Sequence, residues 1–222
     1  MQRPHLNQAM EDHLKAIYEV LERSDWAATS DIAKGLGISP PSVTAMLKRL
    51  AELKLVSYKR YHGVRLTEIG RGAALEIVRH HRLLELYLYE ALGVPWDLVH
   101  AEAEKLEHVL SEEIEERIAR VLDNPTRDPH GAPIPTREGT IEVTESRELA
   151  SVQSGERVTL LRVDDREPEF LRFLGKHNLY PGTKLKVVKV EPHAGLLTLE
   201  VDNNEVILGR EAASDIQVTL PA

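Results

Sequence analysis

With 222 residues, 42% hydrophobic content, a net charge of −8 and no cysteine, the chain is long enough for two or three modest domains with real cores. Wholesale disorder, disulfides and thiolate metal ligands are excluded, and no apolar run nears the roughly 20 residues of a membrane-spanning helix. The opening MQRPHLNQAMEDH has no apolar signal core, so a cytoplasmic protein with no membrane partner is expected.

In chain order, NQAMEDHLKAIYEVLER places Leu14, Ile17, Tyr18 and Leu21 at helical spacing. TSDIAKGLGIS predicts a short helix capped by Thr29 or Ser30 and stopped at Gly37. SPPSVTAMLKRLAELKLV predicts a third helix with prolines in its first turn and Val43, Met46, Leu47 and Leu50 turned inward. SYKRYHGVRLT alternates about His62-Gly63 as a small hairpin. Together these make residues 1–72 a winged helix-turn-helix domain.

Charge agrees with that assignment. From Trp26 to Arg65 there are seven basic and two acidic residues, +5, whereas residues 66–140 carry eight basic and fifteen acidic, −7. A basic contact module on an acidic body points to double-stranded DNA. On the third helix Ser39, Ser42, Thr44, Ala45 and Lys48 face outward, small enough at the start for close approach to base edges. Lys48, Lys59, Arg60 and Arg65 suit phosphates. A protein-binding winged helix with a merely solvated basic face is the alternative.

Residues 73–140 read as a helical body. Glu68 to Leu92 is one helix stopped by Gly93 and Pro95; residues 97–122 form a second, with a break near Ser111. The segment HAEAEKLEH holds His100, Glu104, Glu107 and His108, which fall within an arc of about 100° if the helix is continuous. His81 and Glu85 are i, i+4 neighbours on the preceding helix. Two helices presenting His and Glu beside a shared core form a plausible ion-binding wall; ordinary solvated helix faces are the alternative. With no thiolate, any metal must be held by imidazole and oxygen. No HExxH, nucleophile elbow, P-loop or GxGxxG appears, and Lys105 stands where a di-iron Glu-x-x-His motif ending at His108 needs Glu, so no enzyme is expected.

DNPTRDPHGAPIPTREG is a Pro-rich loop or hinge, and residues 148–222 change texture. RVTLLRV, KLKVVKV, LLTLEV and NEVILG read as strands interrupted by one helical piece, EFLRFLGKHNL, making a small barrel. The fold class is mainly α with a C-terminal β domain.

These segments resemble the diphtheria-toxin-repressor family of metal-dependent transcriptional regulators over nearly the whole chain. The carrying stretches are EDHLKAIYEV, SDIAKGLGISPPSVTAMLKRLAELKLV, LTEIGRGAA, HHRLLELYL, VHAEAEKLEHVLSEEIEERIARVL and DPHGAPIP. The end, with GKHNLYPGTKLKVVKVEP and ILGREAASDIQV, resembles the SH3-like domain of long members and of ferrous-iron transport proteins. The resemblance implies a homodimeric repressor with a metal corepressor. It implies one site from Asp12, Glu104, Glu107 and His108, with His81 available to it or to its neighbour, and a second from His81, Glu85 and His100 with barrel acids, for which Glu167 and Glu169 are candidates. The iron-sensing branch has Met and Cys at the positions of Asp12 and Glu104, whereas the manganese-sensing branch has carboxylates, so Mn²⁺ is expected and Fe²⁺ is the alternative. Two features depart from the short manganese regulators. They have Glu where this chain has Lys15, and they lack the barrel and His100. Periodicity alone would leave Asp12 in solvent. A metal-storage protein or hydrolase with a vestigial DNA head, and a sensor of an organic ligand, are the remaining alternatives.

Overall fold

The computed structural model describes residues 6–59 and 62–220. Three helices, α1 (Gln8–Leu21), α2 (Thr29–Leu36) and α3 (Pro40–Glu52), precede a hairpin of β1 (Val56–Lys59) and β2 (Gly63–Leu66). The long α4 (Glu68–Glu90) leads to α5 (Val99–Leu106) and α6 (Glu112–Val121). Beyond the Pro-rich loop come β3 (Arg147–Glu148), β4 (Arg157–Val163), α7 (Pro168–Lys176), β5 (Lys184–Glu191), β6 (Leu196–Val201), β7 (Asn204–Gly209), α8 (Arg210–Ser214) and β8 (Ile216–Thr219). Helix α4 is too polar to cross a membrane, and among the described residues no helix is long and apolar enough to do so.

The chain forms two compact units, and they do not follow the linear division at 72 and 140. One comprises the residues through His81 with Leu106–Ser111 and Pro135–Thr140; the other comprises Arg82–Lys105, Glu112–Ile134 and the residues from Ile141 on.

In the first unit, α1 packs on α2, α3 and β2, and its Leu14 and Ile17 are fully buried. Each such side chain contributes about 1.5–3 kcal/mol. Asn7 caps α1 by accepting from the Met10 amide, and Ser39 caps α3 by accepting from Ser42, with Pro40 and Pro41 in the first turn, where no backbone donor is needed. The expected cap of α2 at Thr29 or Ser30 is corrected: Ala28 occupies the N-cap without a side-chain bond, and Thr29 already lies in the helix. Gly63 (φ +114°) must be glycine, because a Cβ there would sit 2.3 Å from the Ala27 carbonyl oxygen across the bridge that ties the wing to the chain before α2.

The second unit contains a six-stranded antiparallel sheet in the order β3-β8-β4-β5-β6-β7. Register shifts at Leu160/Arg162 and Val187/Lys189 mark bulges, a device that bends strands. Leu160, Val187, Leu197, Leu199 and Val218 fill its core, closed by Leu171 and Leu174 of α7 and by Trp96. The Pro-rich loop is not a loose hinge. The His130 carbonyl accepts from Val163 of β4 at 3.0 Å, and Gly131 (φ +87°) approaches so closely that a Cβ would lie 2.0 Å from the Leu161 oxygen.

Candidate metal centres and nucleic-acid interface

The first cluster lies in the first unit. Helix α1 contributes Glu11, Asp12 and Lys15, α4 contributes His81, and the turn after α5 contributes Glu107 and His108. The expected break near Ser111 is present, with α6 starting at Glu112, but it opens earlier than expected, because α5 already ends at Leu106. The chain leaves the helical path one residue before Glu107, and this turn, not a common helical arc, aims the two side chains. His108 Nε2 is 2.8 Å from Asp12 Oδ1 and 3.4 Å from Glu107 Oε1, while its Nδ1 is 2.7 Å from Glu11 Oε2. Lys15 Nζ donates to both Glu107 oxygens at 2.8 and 2.9 Å and lies 3.2 Å from His81 Nδ1, which also contacts Glu107 Oε2. Burial alone would raise the Glu107 carboxyl, but the His81 hydrogen bond and the charges of His81 and Lys15 bring it below its usual range.

Asp12, Glu107 and His108 offer donor atoms within 4.8 Å of one another. With Nδ1 donating to Glu11, the Nε2 lone pair of His108 faces two carboxylates, an arrangement that requires a proton or a metal ion between them. The donor set is imidazole and carboxylate, which suits hard or borderline divalent cations.

The second cluster lies in the second unit. Glu85 of α4 is fully buried, with its Oε1 3.1 Å from His100 Nδ1 and 3.9 Å from His130 Nδ1. Asp165, from the loop between β4 and α7, places Oδ2 3.5 Å from His100 Nδ1 and 3.7 Å from His130 Nδ1. His130 Nε2 must donate to the Trp96 carbonyl at 3.0 Å, because a carbonyl only accepts. Its Nδ1 is therefore left aimed at Glu85 and Asp165, and it makes no hydrogen bond of its own. A proton or a metal ion has to reconcile that nitrogen with the two carboxylates.

Asp128 orders this loop by accepting from the His130 and Ala132 amides, both at 2.9 Å. Electrostatics follow the crowding. Burial disfavours the charged imidazole, yet Asp165 and Glu85 push His100 up to about 11, and Glu85 and Asp165 push His130 up to about 9. Burial, and then the charge of Glu85, raises Asp128 to about 7.

Several placements differ from expectation. Glu167 and Glu169 are exposed: Glu167 is the N-cap of α7 and Glu169 lies in its first turn, so neither joins the cluster. The barrel acid that does is Asp165, two residues earlier in DDREPEF. Glu104 is half-buried one turn after His100, with Oε1 3.8 Å from His100 Nε2. Asp12 is partly buried rather than solvated. The sequence reading missed Glu11, Asp128, Asp165 and His130. The last two had visible signals, an acid-rich loop between strand and helix and a histidine inside DPHG.

The DNA face is exposed as expected at Ser39, Ser42, Thr44, Ala45, Lys48 and Lys59, while Arg60 lies outside the described residues. The hydroxyls have internal work as well. Ser39 pairs with Ser42 at 2.8 Å, and Thr44 donates to the Pro40 carbonyl at 2.9 Å. Arg65 stacks 4.3 Å over Trp26 and donates to the Asp25 carbonyl, so the wing's cation is braced.

Three family descriptions match the chain in succession: "Iron dependent repressor, N-terminal DNA binding domain" over residues 5–64, "Iron dependent repressor, metal binding and dimerisation domain" over 67–136, and "FeoA domain" over 147–220. The iron-dependent repressor IdeR of Mycobacterium tuberculosis is 40% identical over 125 residues, 56% of this chain and 54% of IdeR, so the chain spans about half the length of that relative. The diphtheria toxin repressor of Corynebacterium jeikeium is 33% identical over 162 residues, 71% of this chain and 68% of that protein. A solved manganese-dependent transcriptional repressor in complex with manganese superposes with a TM-score of 0.91 at 36% identity, covering 96% of this chain and 100% of the other. The winged helix-turn-helix, the helical body and the C-terminal SH3-like sheet all match, and the chain belongs to the diphtheria-toxin-repressor family of metal-dependent, DNA-binding transcriptional repressors.

Proposed function

We propose that the protein is a manganese-dependent repressor of metal-uptake genes that binds palindromic operator DNA as a metal-loaded homodimer in the cytoplasm. The observation that carries this reading is the donor set of the first cluster. Asp12, Glu107 and His108 supply oxygen and imidazole without sulfur, a donor set that gives softer ions less advantage over Mn²⁺ than a thiolate or thioether would. The resemblance also assigns Glu104 to this ion. Glu85, His100, His130 and Asp165, with each histidine Nδ1 3.1–3.9 Å from the two carboxylates, would hold a second ion, with Asp128 shaping the loop that presents His130. A bound divalent cation would add positive charge where these carboxylates and imidazole lone pairs converge.

Helix α1 links metal to DNA. It carries Glu11 and Asp12 and packs on α2 and α3, so whatever fixes α1 biases the recognition helix. Such coupling is typically worth about 1–3 kcal/mol, or 5–150-fold in affinity. Ser42, Thr44 and Ala45 would meet the major groove, and Lys48, Lys59 and Arg65 the backbone. Dimerisation is supported by exposed apolar side chains on the helical body, Tyr89, Leu92, Ile114 and Val121.

Operator fragments selected from genomic DNA, titrated anaerobically with Mn²⁺, Fe²⁺ and Zn²⁺, test the reading. Activation by Mn²⁺ at the lowest free concentration relative to cellular supply supports it. Activation by Fe²⁺ alone would assign the protein to iron, and metal-independent binding would end the proposal.

A further inference from the structure

Lys15 is a lysine in a place where lysines are rarely found. It is 6% exposed on the buried side of α1, one turn after Asp12, inside a cluster whose other members are all metal-ligand types. An ammonium so enclosed is tolerated only when its charge is matched, and here it is matched by both oxygens of Glu107, whose side chain is fully buried. A third contact, to His81 Nδ1, takes another potential ligand atom. The cluster thus has two halves. On one side His108 Nε2 faces Asp12 Oδ1 and Glu107 Oε1; on the other a tethered monovalent cation faces His81 and both oxygens of Glu107.

We propose that Lys15 is a resident counter-ion: its ammonium fills a second cation position beside the Asp12–Glu107–His108 seat, so the cluster takes one divalent ion and is held in order before that ion arrives. The inference rests on the reading of this cluster as a metal site and goes beyond it by fixing the ion count and assigning the limit to one side chain. Two consequences follow. A fixed positive charge next to the seat repels the incoming cation, so Lys15 weakens metal affinity and sets the threshold of the response upward. It also pairs Glu107 without metal, so the metal-free cluster does not carry an uncompensated buried carboxylate.

The test uses the full chain with His100→Ala and His130→Ala, which together remove both imidazoles of the second cluster. Mn²⁺ is titrated calorimetrically and the bound ion is examined by electron paramagnetic resonance. One isolated ion per chain is the expected result, with no exchange coupling. Adding Lys15→Glu should raise the count to two and produce an exchange-coupled pair. Lys15→Met should keep one ion and tighten it by about tenfold or more. Its metal-free melting temperature should fall, while the metal-loaded one is retained, which shows that the variant still folds. A coupled pair with Lys15 intact overturns the inference and leaves the metal-site reading standing, as do Lys15 variants with unchanged count and affinity. No ion bound at all would sink both.

Discussion

The two His/carboxylate clusters solve the same electrostatic problem differently. The first keeps a built-in cation: Lys15 neutralises Glu107, and its acids are shared among His81, His108 and that ammonium. The second has its fixed cation at the margin, with Arg82 Nε 3.8 Å from Asp128 Oδ2, while Glu85 and Asp165 face the histidines. It crowds Glu85, Asp128 and Asp165 around two histidines, and these are held protonated well above their ordinary range. A site balanced by a side chain is ordered before metal arrives, whereas a site balanced by protons must release them to bind a metal. The first is therefore expected to set the threshold of the response, and the second to make metal uptake sensitive to pH.

Removing ligands of the first cluster should have the largest effect. Asp12→Ala should abolish Mn²⁺ activation of operator binding, a loss of the whole gain of about 5–150-fold, while circular dichroism shows the helices intact, because Asp12 is partly exposed and outside the core. Next comes His130→Ala, which should weaken the second ion about 10–100-fold and leave the first unchanged, as two-site calorimetry would show. Equal losses at both ions would erase the proposed distinction between the clusters.

The pH response sharpens it further. Without metal, His100 and His130 have raised values in the folded chain, so their contribution to stability is complete below about 6.5 and is lost as pH rises through about 9 for His130 and about 11 for His100. Glu107 is lowered, so its contribution is present above its ordinary value of 4.5 and is lost as pH falls below that. Melting in chelator should therefore weaken at both extremes, and Glu107→Gln should flatten only the acid side. Metal uptake by the second cluster should weaken by about tenfold per pH unit for each proton displaced, as calorimetry in buffers of different ionisation enthalpy would report. The smallest effect belongs to the DNA face. Lys48→Ala should reduce the salt slope of operator binding by about 0.9 without altering metal affinity.

The fold was legible where periodicity and punctuation agree. Leu14, Ile17, Val43 and Leu50 announce the helices that bury them, prolines at 40 and 41 mark the start of α3, and the four long strand runs coincide with β4 to β7. The two-residue β3, the four-residue β8 and the one-turn α8 were not legible, because segments so short show no period. The site was legible in residue type more than in position. His100, Glu107 and His108 could be named from HAEAEKLEH, but the end of α5 at Leu106 could not, and that break decides where Glu107 and His108 point. Asp165 was displaced by two residues in the reading because a loop has no register to extrapolate. His130 was hidden because proline and glycine signal a turn and say nothing of a histidine packed under Trp96. Burial of Lys15 runs against its type, and only the three-dimensional neighbourhood of Glu107 explains it.

If metal at these clusters controls DNA binding, operator affinity must follow the metal. The direct measurement is operator affinity of the full chain by fluorescence anisotropy, first after exhaustive chelation and then with Mn²⁺ restored. Tightening by about 5–150-fold on addition of Mn²⁺, reversed by chelator, is the result predicted here. Equally tight binding in both conditions would contradict it.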